Sequence, residues 1–537
     1  MGKKDKNKNK NKISGSVKTA LKTEKKLNAK QKKELSALGE DDIEKVVAEI
    51  EKEEAQRHCV KEVIINPPSR RVNFTLTAHP YKDELIMLGG EFHDGRQTIV
   101  YGDMFFYNIN KQEWTLIKAP GAPPPRCGHQ AVVTANRNGE LWVFGGEFIS
   151  PSELQFYHYR DLWVFRFAER KWEKITAANG PSARSGHRMI YTKKQLIVFG
   201  GFHDNLRHDY KYFNDIHIFD LETYLWRKIE PTGIAPAPRS GCIFLPTSDN
   251  KLVVYGGYSK EKMKKDIDRG CIHADMFLLT QKSDKDVIKY KWVSAKQAGV
   301  RVTPRCGVSA ALVQSANAAF VFGGVHDNDN DDDDEEGLHG IFYNDLLALD
   351  LEKLHWRPVT LSEKKSTVDD SKGRRRRKKE ETDKELGQSN ISDEEEAQEE
   401  SSNLEQSTVT VDDDGIFTMT VGPTAPITSL SLHQSCSTVE NDSGRMKNFP
   451  PPRMNAGMVI KHNVLYLYGG LVEDGDRQYT LCDFYSLDCR KLDEWKTLRS
   501  DDLSLQTWFE SSSEEDEDEE ENSEENQGQS DESELVE

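Results

Sequence analysis

The stretch Leu141-Trp142-Val143-Phe144-Gly145-Gly146, followed by Asp161 and then Trp172, decides how this chain folds. A short apolar run ends on two glycines, an aspartate follows, and a tryptophan closes the unit. Five further copies begin at Leu85, Leu196, Leu252, Ala319 and Leu465, with glycine pairs at 89/90, 200/201, 256/257, 323/324 and 469/470. Their aspartates are Asp103, Asp215, Asp275, Asp345 and Asp483, and their tryptophans Trp114, Trp226, Trp292, Trp356 and Trp495. In four of the six copies these two residues stand 11 apart, so the segment between them has a fixed length. An arginine precedes each copy, two residues before Gly or Asn: Arg71, Arg126, Arg184, Arg239, Arg305 and Arg453.

Each copy reads as four short antiparallel strands. In the second copy an apolar strand over Gln130–Ala135 is followed by a turn at Asn136–Gly139 and a strand ending on Gly-Gly. A third strand carries Leu162, Val164 and Phe167, and a fourth opens at Trp172. Short strands at this spacing, punctuated by Gly and Pro, predict an all-β, six-bladed β-propeller. Such units cannot bury their apolar faces alone and must stack into one body. The tryptophan supplies a large apolar plate between blades. Whether a seventh element helps close the ring is open at this point, and Val60–Ile65 is a candidate added strand.

The remaining segments are polar. Residues 1–38 carry 13 Lys against three acids, and residues 510–537 carry 15 acids and no base; without both ends the formal charge changes only from −18 to −13. Residues 1–38 are expected to be a basic disordered tail, 39–59 a helix, 60–362 blades one to five, 363–447 a disordered charged insertion, 448–500 blade six and 501–537 an acidic disordered tail. The helix rests on Ile43, Val46, Val47 and Ile50, which share one stripe. Within the insertion, Thr408–Val421 has the pattern of a hairpin turning at Asp414-Gly415. Trp508-Phe509 is expected to tuck against the last blade. Scattered cysteines, no apolar leader and no run long enough to span a bilayer point to a cytoplasmic or nuclear protein without a membrane segment.

The stretches GGEFISPSELQFYHYRDLWVF (145–165), RSGHRM (184–189), VVYGGYSKEKMKKD (253–266) and YGGLVEDGDRQYTLCDF (468–484) carry a resemblance. With the glycine pairs, spaced aromatics and terminal tryptophans, they resemble the kelch repeat family. That resemblance implies a propeller used as a scaffold for protein binding, with no settled catalytic activity. A non-enzymatic, monomeric interaction protein with no cofactor is therefore expected.

Antiparallel order places every second-to-third-strand loop and every inter-blade connection on one face. The Lys260–Lys265 loop, the acidic run Asp327–Glu336 and the insertion leave from that face, which is the expected docking surface. The six arginines have two readings: pairing with carbonyls or Asp at the blade junctions, or forming a ring of cations for partner carboxylates. Phe92, Phe148, Phe202 and Tyr258 either contact the partner or fill space between blades. His129 and His187 read as packing histidines. His93, His203 and His326 do not make a metal ring, since half the blades lack them. The sequence has no P-loop, Gly-x-Ser-x-Gly or HExxH motif, and no catalytic or metal residue is assigned. Two other functions remain open. One is a ubiquitin-ligase substrate-recognition subunit, suggested by Ser431-Leu432 with Cys436 but opposed by Glu440. The other is a nucleic-acid or pre-ribosome factor using residues 1–38 and Arg374–Lys379.

Overall fold

The computed structural model describes residues 15–204, 210–262, 268–284, 287–327, 340–362, 409–411, 417–419, 449–475 and 477–509. Six antiparallel sheets form the blades, each built from one continuous run of chain. Blade 2 is representative: Gln130–Thr134, Glu140–Phe144, Leu162–Arg166 and Lys171–Ile175 pair in sequence order from the axis outward. The first strand of each blade faces the axis, where Thr75–Ala78 packs beside both Gln130–Thr134 of blade 2 and Gly457–Lys461 of blade 6.

Six apolar clusters fill the six interfaces between neighbours. The tryptophan of each outer strand packs onto the preceding blade. Trp172 joins the blade 1 cluster around Leu88 and Met104, Trp226 joins Trp142 and Phe144 of blade 2, and Trp114 reaches back to Tyr468 and Phe484 of blade 6. Burying one indole removes on the order of 200 Å² from water, so these six residues are major contributors to ring cohesion.

The glycine pairs mark where the second strand leaves its sheet. Gly145 and Gly146 have φ of 64° and 92°, and a Cβ on either would lie 2.7 Å from a carbonyl oxygen, of Arg184 and Cys127 respectively. Only glycine fits that close approach. Beyond each pair the chain rises into a small hairpin before returning as the third strand. Blade 1 raises Glu91–His93 with Thr98–Val100, and blade 2 raises Glu147–Ile149 with Phe156–His158. The corresponding hairpins of blades 3, 4 and 5 follow the same plan, and in blade 6 the two long strands Val464–Asp474 and Arg477–Asp488 simply continue past a bulge. One face of the ring therefore carries six raised hairpins.

Several expectations are corrected. Residues 15–37, expected to be disordered, form helix α1 (Gly15–Ala37), tied by Lys32 to Asp42 and Glu44 at the start of helix α2 (Ile43–Ala55). Lys, Leu, Ala, Glu and Gln dominate α1, and their helix propensity acts even without an apolar face. The strand Lys61–Ile65 does form, but it pairs with the outermost strand of blade 1, Glu113–Lys118, and does not bridge blades 1 and 6. In blade 4 the third and fourth strands, Met276–Asp284 and Val287–Ala295, pair along their whole length. The hairpin expected in the insertion pairs Val409–Val411 with Phe417–Met419; the rest of that insertion, residues 1–14, the Asp-rich run beyond Asp327 and the tail from 510 lie outside the described residues.

Closure between the last and first blades uses side chains. Pro68 O accepts from Tyr468 Oη at 3.0 Å and Arg499 Nη1 at 2.8 Å. Arg70 donates to Thr480 O at 3.0 Å and Asp502 O at 2.8 Å, and pairs with the nearly buried Asp501. Trp508-Phe509 was expected on the last blade. It instead crosses to blade 1, where Phe509 N donates to Asp94 O at 2.9 Å and the Trp508 ring lies 5.6 Å from His93.

Candidate functional site

The six arginines are buried, none more than 7% exposed. Arg453 shows the arrangement at full strength: Nη1 and Nη2 donate to Asp483 at 2.5 and 2.7 Å, Nη1 to Gly469 O at 2.9 Å, and Nε to Pro451 O at 3.0 Å. Arg126, Arg184 and Arg239 make the same bidentate clamp on Asp161, Asp215 and Asp275. Arg305 bonds Asp345 through Nη1, and Arg71 lies 3.8 Å from Asp103. Each guanidinium thus ties the start of a blade to its own first glycine and its own aspartate. The reading of these residues as cations offered to a partner is corrected: burial and bonds to carbonyls and carboxylates of their own blades make them scaffold.

Two residues after each arginine comes Gly or Asn with positive φ, including Asn73 (56°), Gly128 (60°) and Asn455 (52°). The backbone there hands hydrogen bonds from blade to blade: Gly128 N to Asn73 O, Gly186 N to Gly128 O, Gly241 N to Gly186 O, and Asn455 N to Gly307 O. His129 and His187 are buried beside this ring as packing residues. Burial pushes the His129 imidazole down to about 3, and the His187 imidazole is driven well below its usual value.

The four aromatics stand on the raised hairpins and are half-buried. Phe148 is covered by α2, where it joins Ile43, Val47 and Tyr159. Gln155 Nε2 fixes the helix entrance by donating to Asp41 O at 2.7 Å. Phe202 and Tyr258 flank Tyr212, at ring separations of 5.8 and 6.4 Å, in an aromatic row across blades 3 and 4. Phe92 lies on the blade 1 hairpin. Phe202 and Tyr258 thus fill space between hairpins, and Phe148 packs under the helix. Exposed apolar groups on this face include Ile99 and Leu154, each 42% exposed, and Phe509 at 41%.

Two polar assemblies lie under the hairpins. In the first, Glu147 is buried between His158 and Ser185. His158 Nε2 accepts from Asp204 N at 3.0 Å and its Nδ1 lies 2.8 Å from Ser185 Oγ. Burial drives His158 down to about 3, so the imidazole is neutral. Desolvation, reinforced by Glu91, pushes the Glu147 carboxyl up to about 8. The Nε2 lone pair is taken by Asp204 N, so a protonated Glu147 3.5 Å away lies beside a neutral ring without an ion pair.

The second assembly is a cleft of about 420 Å³ at the seam of blades 6, 1 and 2. Val72, Ile149, Met454 and Leu471 supply apolar lining, and Trp508 lines it beside His93. Glu91, Glu153 and Glu473 bring carboxylates to the same space, with Arg477 as the cation among its described lining residues. Glu91 Oε1 accepts from Asn73 Nδ2 at 2.6 Å, and desolvation raises its carboxyl. His93 Nδ1 sits 2.9 Å from Thr98 Oγ1, which in turn bonds Glu153. Sequence reasoning missed this cleft, because its walls come from residues 72–153 and 454–508 and meet only when the ring closes. Among the described residues no group of three His, Cys, Asp or Glu has metal-binding geometry, and no helix is long and apolar enough to cross a membrane.

The architecture is that of a six-bladed β-propeller. Residues 74–285 match the KLHDC2/KLHL20/DRC7 kelch-repeats domain, which supports placing these repeats in the kelch family. The chain is 28% identical over 191 residues to acyl-CoA-binding domain-containing protein 5 of Arabidopsis thaliana, covering 35% of this chain and 27% of that protein. It is 26% identical over 330 residues to host cell factor of Drosophila melanogaster, covering 57% of this chain and 20% of that protein. The matched region is thus about a quarter or less of either relative's length. A solved structure of YjhT aligns with a TM-score of 0.47 and 14% identity over 80% of this chain and 98% of that one.

Proposed function

We propose that this protein is a non-enzymatic interaction scaffold that holds a protein partner on the hairpin face of its propeller. The supporting observation is the asymmetry of the ring. Every Gly-Gly kink lifts a hairpin onto one face, exposing Ile99 and Leu154 there, whereas the opposite ends carry tight turns such as Asp220–Leu225 and one longer hairpin, Met276–Asp284 with Val287–Ala295 of blade 4. Binding residues concentrate on loops carried by a rigid frame, and the buried Arg–Asp clamps supply that frame. The whole-chain layout, with its Lys-rich start, interrupted fifth-to-sixth interval and acidic end, resembles kelch domain-containing protein 4, which is part of the proposal. So are a monomeric state and a cytoplasmic or nuclear location.

Proximity labelling in cells tests the reading. Ile99→Asp combined with Leu154→Asp is expected to remove specific partners, whereas Leu225→Asp, 62% exposed at a turn of the opposite face, leaves them unchanged. Equal loss from both, with folding intact, overturns the choice of face. Dependence of recovered cullins and elongins on the hairpin face would narrow the role to ligase substrate recognition. RNase-sensitive recovery that needs residues 1–38 or 374–379 would favour the nucleic-acid reading.

A further inference from the structure

The seam cleft combines apolar walls, an aromatic ring and carboxylates. We propose that it receives a lysine or arginine side chain from a basic peptide segment of a partner protein. This deepens the scaffold reading and rests on it.

Four observations carry the proposal. First, the size fits: about 420 Å³ admits a long side chain and part of its backbone, but not a folded element. Second, the chemistry is that of a cation site with an aliphatic stem. Glu91 and Glu153 approach from blades 1 and 2, while Val72, Met454 and Leu471 supply apolar wall for methylenes. Trp508 adds an aromatic ring of the kind that attracts ammonium and guanidinium groups. Third, the polar groups inside have capacity left for a donor. Glu91 accepts from Asn73 through Oε1 and from the Cys127 thiol, which leaves about two of the four or so lone-pair positions that a carboxylate offers. Its carboxyl is already raised by desolvation, so an incoming cation would stabilise the charged form.

Fourth, the surrounding field has the matching sign. The chain leaves the cleft at Phe509, fixed to Asp94 O, and the 28 residues that follow carry 15 carboxylates and no base. The strands Val325–Asp327 and Gly340–Phe342 of blade 5 stand on the same face, and the segment joining them holds seven more acids. Negative charge around a partly desolvated cleft concentrates and steers basic segments. An acidic peptide would meet repulsion from Glu91, Glu153 and Glu473. An uncharged apolar peptide would desolvate these carboxylates and bring no cation to offset that cost.

The test uses the full chain and fluorescein-labelled tetralysine, tetra-arginine and tetraglutamate, read by anisotropy at about 150 mM salt, where exposed charges are largely screened beyond ~8 Å. The basic peptides are expected to bind and to perturb Trp508 emission, a signal absent in Trp508→Phe. Glu91→Gln with Glu153→Gln should weaken binding roughly tenfold, the scale of two partly exposed ion pairs. A chain ending at residue 509 should still bind, with a shallower salt dependence. Binding that survives the double substitution, or that vanishes with the tail alone, overturns the proposal by assigning the basic-peptide affinity to the tail. Tetraglutamate binding in the cleft also overturns it. If removing residues 1–14 raises peptide affinity about tenfold, the chain's own lysines occupy the cleft and the partner assignment fails. Thermal midpoints confirm that each variant folds. Loss of peptide binding alone, with partner labelling still dependent on Ile99 and Leu154, sinks this inference and leaves the scaffold reading standing.

Discussion

Removing one clamp arginine separates scaffold from recognition. Arg453→Ala deletes two charge-assisted bonds to Asp483 and the donors to Gly469 O and Pro451 O, and leaves the Asp483 carboxylate buried at 2% exposure. Breaking a buried pair from one side costs about 3–5 kcal/mol, because the remaining charge is desolvated without a partner. Arg71→Ala provides the internal comparison. Its Asp103 is 40% exposed and 3.8 Å away, so that carboxylate stays hydrated after the change. The loss there is limited to bonds with Gly89 and Ser69 and to packing over Tyr101, about 1–2 kcal/mol. Urea unfolding followed by tryptophan fluorescence should place the Arg453→Ala midpoint well below that of Arg71→Ala, and both below wild type. Replacing the pair with Arg453→Met and Asp483→Leu should recover most of the loss. Equal midpoints for the two single variants, or an Arg453→Ala chain as stable as wild type that has lost its partner, would refute the scaffold assignment.

Three further outcomes are expected. Glu147 has a folded value near 8 against an ordinary 4.5, so the unfolded chain releases that proton first and stability falls as pH rises from about 4.5 to 8. Glu147→Gln should gain on wild type across that window, on the order of 5 kcal/mol, and the gain should level off above it; a pH-independent difference would contradict the desolvated carboxyl flanked by Glu91, His158 and Asp204. Gly145→Ala should cost about 2–4 kcal/mol, because its φ of 64° combines with a 2.7 Å clash on Arg184 O, whereas Gly475→Ala, with φ of 59° and open space around it, should cost about 1 kcal/mol; matching thermal shifts would deny the close approach. Asp501→Ala breaks the pair with Arg70 and the bond from Cys482 N, and should increase hydrogen exchange at the seam of blades 6 and 1 before other blades; uniform exchange would mean that the seam is not the weakest joint.

Much of the ring was legible because its grammar is local. Gly-Gly, Asp and Trp lie within about one blade of each other, and each has one physical job that its residue type announces. The arginines were legible as a set but not in role: the same spacing suits a cation ring or a buried clamp, and only the Arg453–Asp483 geometry decides. Trp508 was placed on the wrong blade because the ring brings blade 1 beside blade 6, a neighbour relation that sequence order hides. Helix α1 was missed for a different reason. Lysine-rich composition signals disorder, while the same residues have good intrinsic helix propensity.

Every blade is assembled from its own uninterrupted stretch, with no strand lent across the seam. A nascent chain can therefore complete one wedge before the next emerges, waiting for no distant segment. It also explains how a segment longer than a whole blade can stand between the fifth and sixth wedges without disturbing either: it joins two finished parts. New chain ends cut at any blade junction should likewise leave all six wedges intact, with the Pro68–Arg499 latch holding the former termini together.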